Sequence, residues 1–226
     1  MRGIGGKEAF FESTALSRTT WHPFLLLVPA VLPLFIHLGT VLWGSEARWL
    51  CIASEMRRTG DYLEPELNGE FYGDKPLLSY WAIAVLSFPL GFVDERVSRL
   101  PSAIAGALTV LLTASIAAKL FGKRPAILSG WILATSFSFY FWSRSASADV
   151  LNLAFTTAAV LVSLQWRSSP KPWHPLLFFN LLALGGHAKG MPAIIVPLGI
   201  VAATLSSRAP PPSLFQAIVT LPTEVP

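Results

Sequence analysis

Charge is what this sequence has least of. Only 13% of its 226 residues are Asp, Glu, Lys or Arg, where a soluble domain carries roughly 25%. A chain of that length needs polar surface to stay in water, so the shortage excludes an ordinary soluble globular enzyme. Disorder is excluded as well, because 53% of the residues are hydrophobic and the sequence is not poor in apolar surface. Cysteine is nearly missing: Cys51 stands alone and cannot close a disulfide within the chain, which excludes a disulfide-stapled scaffold. No internal repeat of solenoid length is visible. What is present is apolar sequence in blocks, with a mean hydropathy of +0.54. A formal charge of +4 could suggest nucleic acid, but basic cytoplasmic loops produce the same excess in a membrane protein. The composition therefore predicts an integral membrane protein with the bilayer, and no nucleic acid, as its partner.

A spanning helix needs about 20 mostly apolar residues. Runs of that kind cover Pro23–Trp43, Pro76–Val93, Leu100–Phe121, Pro125–Trp142 and Val150–Trp166. Two shorter runs follow, Leu176–His187 and Met191–Leu205, divided by Gly185-Gly186-His187-Ala188-Lys189-Gly190. The expected fold is an all-α, multi-spanning helical bundle of about six or seven apolar segments. Residues 1–22 form its N-terminus, 23–205 the membrane module with a first loop at 44–75, and 206–226 a Pro-rich tail that does not read as a further span.

One loop concentrates the polar chemistry. Glu46–Lys75 holds 11 charged residues, seven acidic and four basic. In its first part Trp49, Ile52, Ala53 and Met56 recur at i, i+3, i+4 and i+7, which predicts a short amphipathic helix lying on the bilayer surface. Thr59-Gly60-Asp61 should stop it. Asn68-Gly69 reads as a tight turn between short extended pieces at Tyr62–Leu67 and Glu70–Tyr72.

Arg2, Lys7 and Arg18 place the N-terminus in the cytoplasm by the positive-inside rule, and so put the Glu46–Lys75 loop outside. Lys119, Lys123 and Arg124 mark an inner turn, and Arg167 and Lys171 another. Asp149 and Lys189 then share the outer face with Glu46 and Lys75. This count requires Pro76–Val93 to begin and end outside, as a re-entrant or interfacial helix. Simple alternation would instead make it span and put Asp149 inside.

Ionisable residues at helix ends near a membrane are costly and suggest function; singly, each could be an anchor snorkelling to water. Glu46, Arg48, Asp74-Lys75, Asp149 and Lys189 form such a set, and anchors need no acid. Asp149 also has the alternative reading of a helix N-cap. Tyr72, Tyr80 and Trp81 fit either the wall of a sugar pocket or an interfacial aromatic belt. His187 with Asp74 would make only a partial divalent-cation site, and nothing in the sequence requires a cofactor.

The ordered set Trp43-Gly-Ser-Glu-Ala-Arg-Trp49, Glu55-Met-Arg-Arg-Thr-Gly-Asp61, Pro65-Glu-Leu-Asn-Gly69 and Tyr72-Gly-Asp-Lys-Pro-Leu-Leu-Ser-Tyr-Trp81 continues in Arg99-Leu-Pro-Ser-Ala103, Leu120-Phe-Gly122, Ser143-Arg144 with Asp149, and Lys189-Gly190. It resembles the polyprenyl-phosphate-dependent C-type membrane glycosyltransferases, above all the lipid A aminoarabinose transferases and protein O-mannosyltransferases. The resemblance covers about residues 37–200 and is most specific over Glu46–Trp81. It implies transfer of a sugar from an undecaprenyl-phosphate-linked donor to a lipid, glycan or protein acceptor. The reaction would take place at the periplasmic face of the bacterial inner membrane. Arg48 and Lys75 match the family's carrier-phosphate contacts, with Lys189 a third candidate. The family's base is a carboxylate of the first outer loop, often one of an Asp-Glu pair; here Ser45-Glu46 stands there, so the resemblance leaves Glu46 alone or with Asp149 as the base. Relatives are usually longer, so the chain reads as an N-terminal portion. The rival expectations are a secondary transporter, with the Gly185–Gly190 interruption as its broken helix, and a non-catalytic truncated membrane subunit.

Overall fold

The computed structural model describes residues 22–206; the expectations for the N-terminus up to residue 21 and for most of the tail lie outside them. The first apolar run does not form the single span expected of Pro23–Trp43. It breaks into two one-turn helices, α1 (His22–Leu25) and α2 (Val28–Val31), a 3₁₀ turn at Leu32–Phe35, and irregular chain from there. The cause is in the sequence: Pro29 and Pro33 each lack a backbone donor, and His37 adopts a left-handed conformation at φ 55°. Other elements hold the broken segment. The Trp131 indole donates to the Leu26 carbonyl at 3.1 Å. Fully buried Leu27 sits on Gly130, where a Cβ would come within 2.7 Å of its Cδ2.

The loop over 46–75 folds as its pattern predicts. Helix α3 (Glu46–Thr59) buries Trp49, Ile52, Ala53 and Met56 and ends at Gly60, whose left-handed φ of 78° lets its N–H cap the Met56 carbonyl. Strands β1 (Glu66–Leu67) and β2 (Glu70–Phe71) pair antiparallel, Glu66 opposite Phe71 and Leu67 opposite Glu70. Both bridging residues, Asn68 at φ 57° and Gly69 at φ 82°, are left-handed, as this tight turn demands. The extended pieces are shorter than the sequence suggests.

Helix α4 (Leu78–Ser87) has ten residues. At 1.5 Å per residue it is about 15 Å long, half a hydrocarbon core of about 30 Å. It lies alongside α3: Trp49 meets Tyr80 with ring centroids 4.8 Å apart at one end, and Arg57 donates to Ser87 Oγ at 2.8 Å at the other. Matching separations along both helices mean that they run in the same direction. The ten residues of α4 are by themselves too short to cross that core.

The remaining chain is a bundle. Helix α5 (Glu95–Phe121), capped by the Asp94 carboxylate on the Val97 N–H at 2.8 Å, and helix α8 (Asp149–Ser168) are the two described helices long and apolar enough to cross a membrane. The Pro125–Trp142 run divides into α6 (Lys123–Thr135) and α7 (Phe137–Ser143), because Ser136 is extended at ψ 130°. The last two runs form α9 (His174–Lys189) and α10 (Pro192–Ser206). The Gly185-Gly186 pair does not interrupt α9; the break comes at Gly190, with φ 100°. These glycines serve packing: a Cβ on Gly185 would lie 2.3 Å from Ala193 Cβ. The interruption expected over Gly185–Gly190 is thus confined to its last residue, between α9 and α10. Gly185→Val should push α9 and α10 apart and cost about 1–3 kcal/mol, the usual penalty of overpacking. Thermal unfolding of the detergent-solubilised protein checks this, and an unchanged midpoint would contradict the close approach.

Candidate active site

The polar centre begins at a residue for which the sequence suggested no role. Arg99, in the second turn of α5, is only 3% exposed, and so is Glu46 at the start of α3. Arg99 Nε donates to Glu46 Oε1 at 2.9 Å and Nη2 to Oε2 at 2.6 Å. Nη1 also donates to the Leu38 carbonyl at 2.6 Å and the Thr40 carbonyl at 2.8 Å, and Nη2 to the Val41 carbonyl at 3.1 Å. Glu46 in turn accepts the Ala146 N–H on Oε1 at 2.7 Å and the Trp43 N–H on Oε2 at 3.1 Å. One guanidinium and one carboxylate thus tie the 38–46 segment, α5 and the 143–149 segment together. Burial pushes the Glu46 carboxyl up, but the Arg99 hydrogen bonds and the two N–H donors outweigh it and hold it below its usual range.

This geometry does not fit the expectation that Glu46 is the general base. A carboxylate has about four acceptor positions, and four donors fill them here. No lone pair remains for an acceptor proton. Arg99 was nonetheless legible: an arginine at the head of an apolar helix asks for a buried partner.

A second group lies on the α3 and α4 side. Arg48 Nη1 donates to the Tyr72 hydroxyl at 2.6 Å, the hydroxyl donates to Asp74 Oδ2 at 3.1 Å, and Lys75 Nζ is 3.0 Å from the same oxygen. The Arg48 guanidinium lies over the Tyr72 ring, 5.3 Å from its centroid. Hydrogen bonds from Lys75 and Tyr72, with the field of nearby cations, hold the Asp74 carboxyl below the usual carboxylate range. Arg48 Nε and the Tyr80 hydroxyl are buried without a hydrogen-bond partner, so unused donors remain around this group. A third pair joins Asp149, in the first turn of α8, to Lys189 at the end of α9. Asp149 makes no cap hydrogen bond; its carboxylate serves the ion pair. The Ser79 hydroxyl bonds to the Ala188 carbonyl at 3.3 Å, which brings the end of α9 against the first turn of α4. Ala148 packs in the cluster of Trp49 and Tyr80. The structure therefore brings Arg48, Tyr72, Asp74 and Lys75 together and sets Asp149–Lys189 beside the same helix.

Other candidates go elsewhere. Tyr80 has no exposed surface and belongs to the core, not to an open pocket wall. Trp81 donates its indole N–H to the Tyr62 carbonyl at 2.7 Å, fastening α4 to the loop. His187 is exposed, and Asp74 is engaged with Tyr72 and Lys75; among the described residues no three His, Cys, Asp or Glu gather to hold a metal ion.

Arg99→Met should destabilise the protein by about 3–5 kcal/mol, because it leaves the Glu46 charge buried and unpaired. The pH dependence carries a sign. The Glu46 carboxyl is depressed in the folded protein, so its contribution is complete above the unfolded value of 4.5 and disappears as pH falls through the folded value. Chemical denaturation should show wild-type stability dropping below that pH and Glu46→Gln, weaker at neutrality, changing less over the same window. Equal acid slopes would remove Glu46 from the pair.

Residues 74–221 match the family model of dolichyl-phosphate-mannose-protein mannosyltransferase. An uncharacterized protein of Aquifex aeolicus is 31% identical over 192 residues, covering 82% of this chain and 38% of its own. The undecaprenyl phosphate-alpha-4-amino-4-deoxy-L-arabinose arabinosyl transferase of Pectobacterium carotovorum is 28% identical over 180 residues, 77% of this chain and 32% of its own. The crystal structure of ArnT from Cupriavidus metallidurans bound to undecaprenyl phosphate superposes with a TM-score of 0.72 at 20% identity, over 83% of this chain and 36% of that one. At that identity the likeness shows the fold. The chain spans roughly a third of the length of these relatives. With more than half of its residues inside the family model, the chain belongs to the membrane glycosyltransferase family of the dolichyl-phosphate-mannose-protein mannosyltransferases.

Proposed function

We propose that this chain carries the donor-binding part of an enzyme that moves a sugar from undecaprenyl phosphate to an acceptor hydroxyl. The observation that carries the reading is the Arg48–Tyr72–Asp74–Lys75 group, two cations held on an interfacial pair of helices with the Arg48 Nε donor unused. A carrier lipid presents its phosphate at that depth. Relatives named as undecaprenyl phosphate-linked arabinosyl transferases, and a similarly folded protein bound to undecaprenyl phosphate, support the choice of carrier.

The reaction needs a base at the acceptor hydroxyl and cations at the departing phosphate. Glu46 is committed to Arg99, so the base falls to Asp149, whose Oδ1 meets Lys189 while Oδ2 has no hydrogen bond among the described residues. The acceptor oxygen gives its proton to Asp149 and attacks the anomeric carbon. The bond from that carbon to the phosphate oxygen breaks, and the electron pair leaves with the lipid phosphate, neutralised by Arg48 and Lys75 with Lys189 nearby. The acceptor is a lipid, glycan or protein hydroxyl. In this reading the site faces the periplasm from the inner membrane, the N-terminus is cytoplasmic, and α6–α7, α9 and α10 join α5 and α8 in the bilayer.

Retention of undecaprenyl phosphate by the purified chain tests the carrier site. Lys75→Ala should weaken it far more than Lys171→Ala, because charge-assisted bonds to phosphate are roughly twice as strong as neutral ones and Lys171 sits over Trp173 away from this group. Equal losses would remove Lys75 from the site. In membranes that support sugar transfer, Asp149→Asn should lower the rate by about 10²–10⁴-fold while carrier retention persists. A rate left intact would return the base to another residue.

A further inference from the structure

A cavity of about 420 Å³ opens beside the 35–40 segment, lined by Phe35, His37, Leu38, Gly39, Thr40 and Arg96. None of the carrier-site residues lines it. Its volume falls in the usual range for a small-molecule site.

Arg96 is exposed and makes no hydrogen bond or ion pair among the described residues. The acids beside it do not neutralise it directly: Asp94 caps the Val97 N–H, and Glu95, one position away on the helix, does not face it. The side chain is nonetheless placed. A Cβ on Gly39 would lie 2.7 Å from Arg96 Nε and 3.1 Å from Cγ, so the arginine rests on a Cα that only glycine leaves bare. The wall is held as firmly. The carbonyls of Leu38, Thr40 and Val41 are bonded by Arg99, and that of Ile36 by Arg144. Backbone oxygens that would repel an anion are thereby engaged by other arginines, while Arg96 and the imidazole of left-handed His37 line the opening. Beside it lie apolar side chains left bare, Phe35 at 38%, Ile36 at 52% and Val41 at 91% exposed, a surface suited to an acyl chain.

We propose that this cavity is a second anion site, built for a phosphate group and separate from the carrier site. The phosphate could arrive on a lipid or free in solution, and the experiment separates the two. Native mass spectrometry of the detergent-purified chain would measure retention of phosphatidic acid, alone and with millimolar inorganic phosphate. Wild type should retain the lipid at this site. Arg96→Gln should weaken retention at least about tenfold, the loss expected for hydrogen bonds to a charged group. Gly39→Val, which displaces the arginine without removing it, should weaken it likewise, and Lys75→Ala should weaken it less, by the carrier group's share alone. Displacement by inorganic phosphate would identify the phosphate group alone as the ligand; resistance would identify the lipid headgroup with its chains. Retention equal to wild type in Arg96→Gln would overturn the site. So would a loss in Lys75→Ala matching that in Arg96→Gln, since all binding would then belong to the carrier group.

Discussion

The fold depends on burying two opposite charges without leaving either unsatisfied. Removing Glu46 and Arg99 from water costs several kcal/mol per ion, and their attraction offsets this only when geometry and additional hydrogen bonds are complete. Both conditions are met here: Arg99 spreads its donors over one carboxylate and three backbone carbonyls, and Glu46 fills its remaining acceptor positions with the Ala146 and Trp43 amides. Two parts of the site are anchored at that pair. The start of α3 fixes Arg48, and the 143–149 segment sets where α8 begins and therefore where Asp149 stands.

Much of the outer loop was legible because its signals are local. The stripe Trp49, Ile52, Ala53 and Met56 specifies one buried helix face, Gly60 stops the helix, and Asn68-Gly69 closes the hairpin. Each of these depends on residues a few positions apart. The expectation failed where apolar length was taken for helical continuity. Pro29 and Pro33 dismantle the first run, and an extended Ser136 divides the fourth. The division expected over Gly185–Gly190 falls at Gly190, while Gly185 serves packing: glycine can break a helix or let a neighbour approach it, and Ala193, its neighbour, belongs to the next helix. Family likeness was carried by ordered polar motifs, and the matched family bears it out. The role of Glu46 could not be read from its motif, since three of its four donors come from residues 53 and 100 positions away.

Helices α3 and α4 turn the loop into a platform. Bound side by side through Trp49–Tyr80 at one end and Arg57–Ser87 at the other, they flank the Arg48–Tyr72–Asp74–Lys75 group. Two helices whose apolar faces pack on each other resist tilting better than one resting on lipid.

The long reach of Glu46 also orders the chain's own assembly. As the polypeptide emerges, its carboxylate has no cation until Arg99 follows, 53 residues later, and Oε1 gains its last donor only with Ala146, 100 residues on. Closing loops of that length is entropically slow, so these contacts form after the local helix that carries Glu46. A chain cut before residue 146 would keep the ion pair but leave Glu46 Oε1 one donor short.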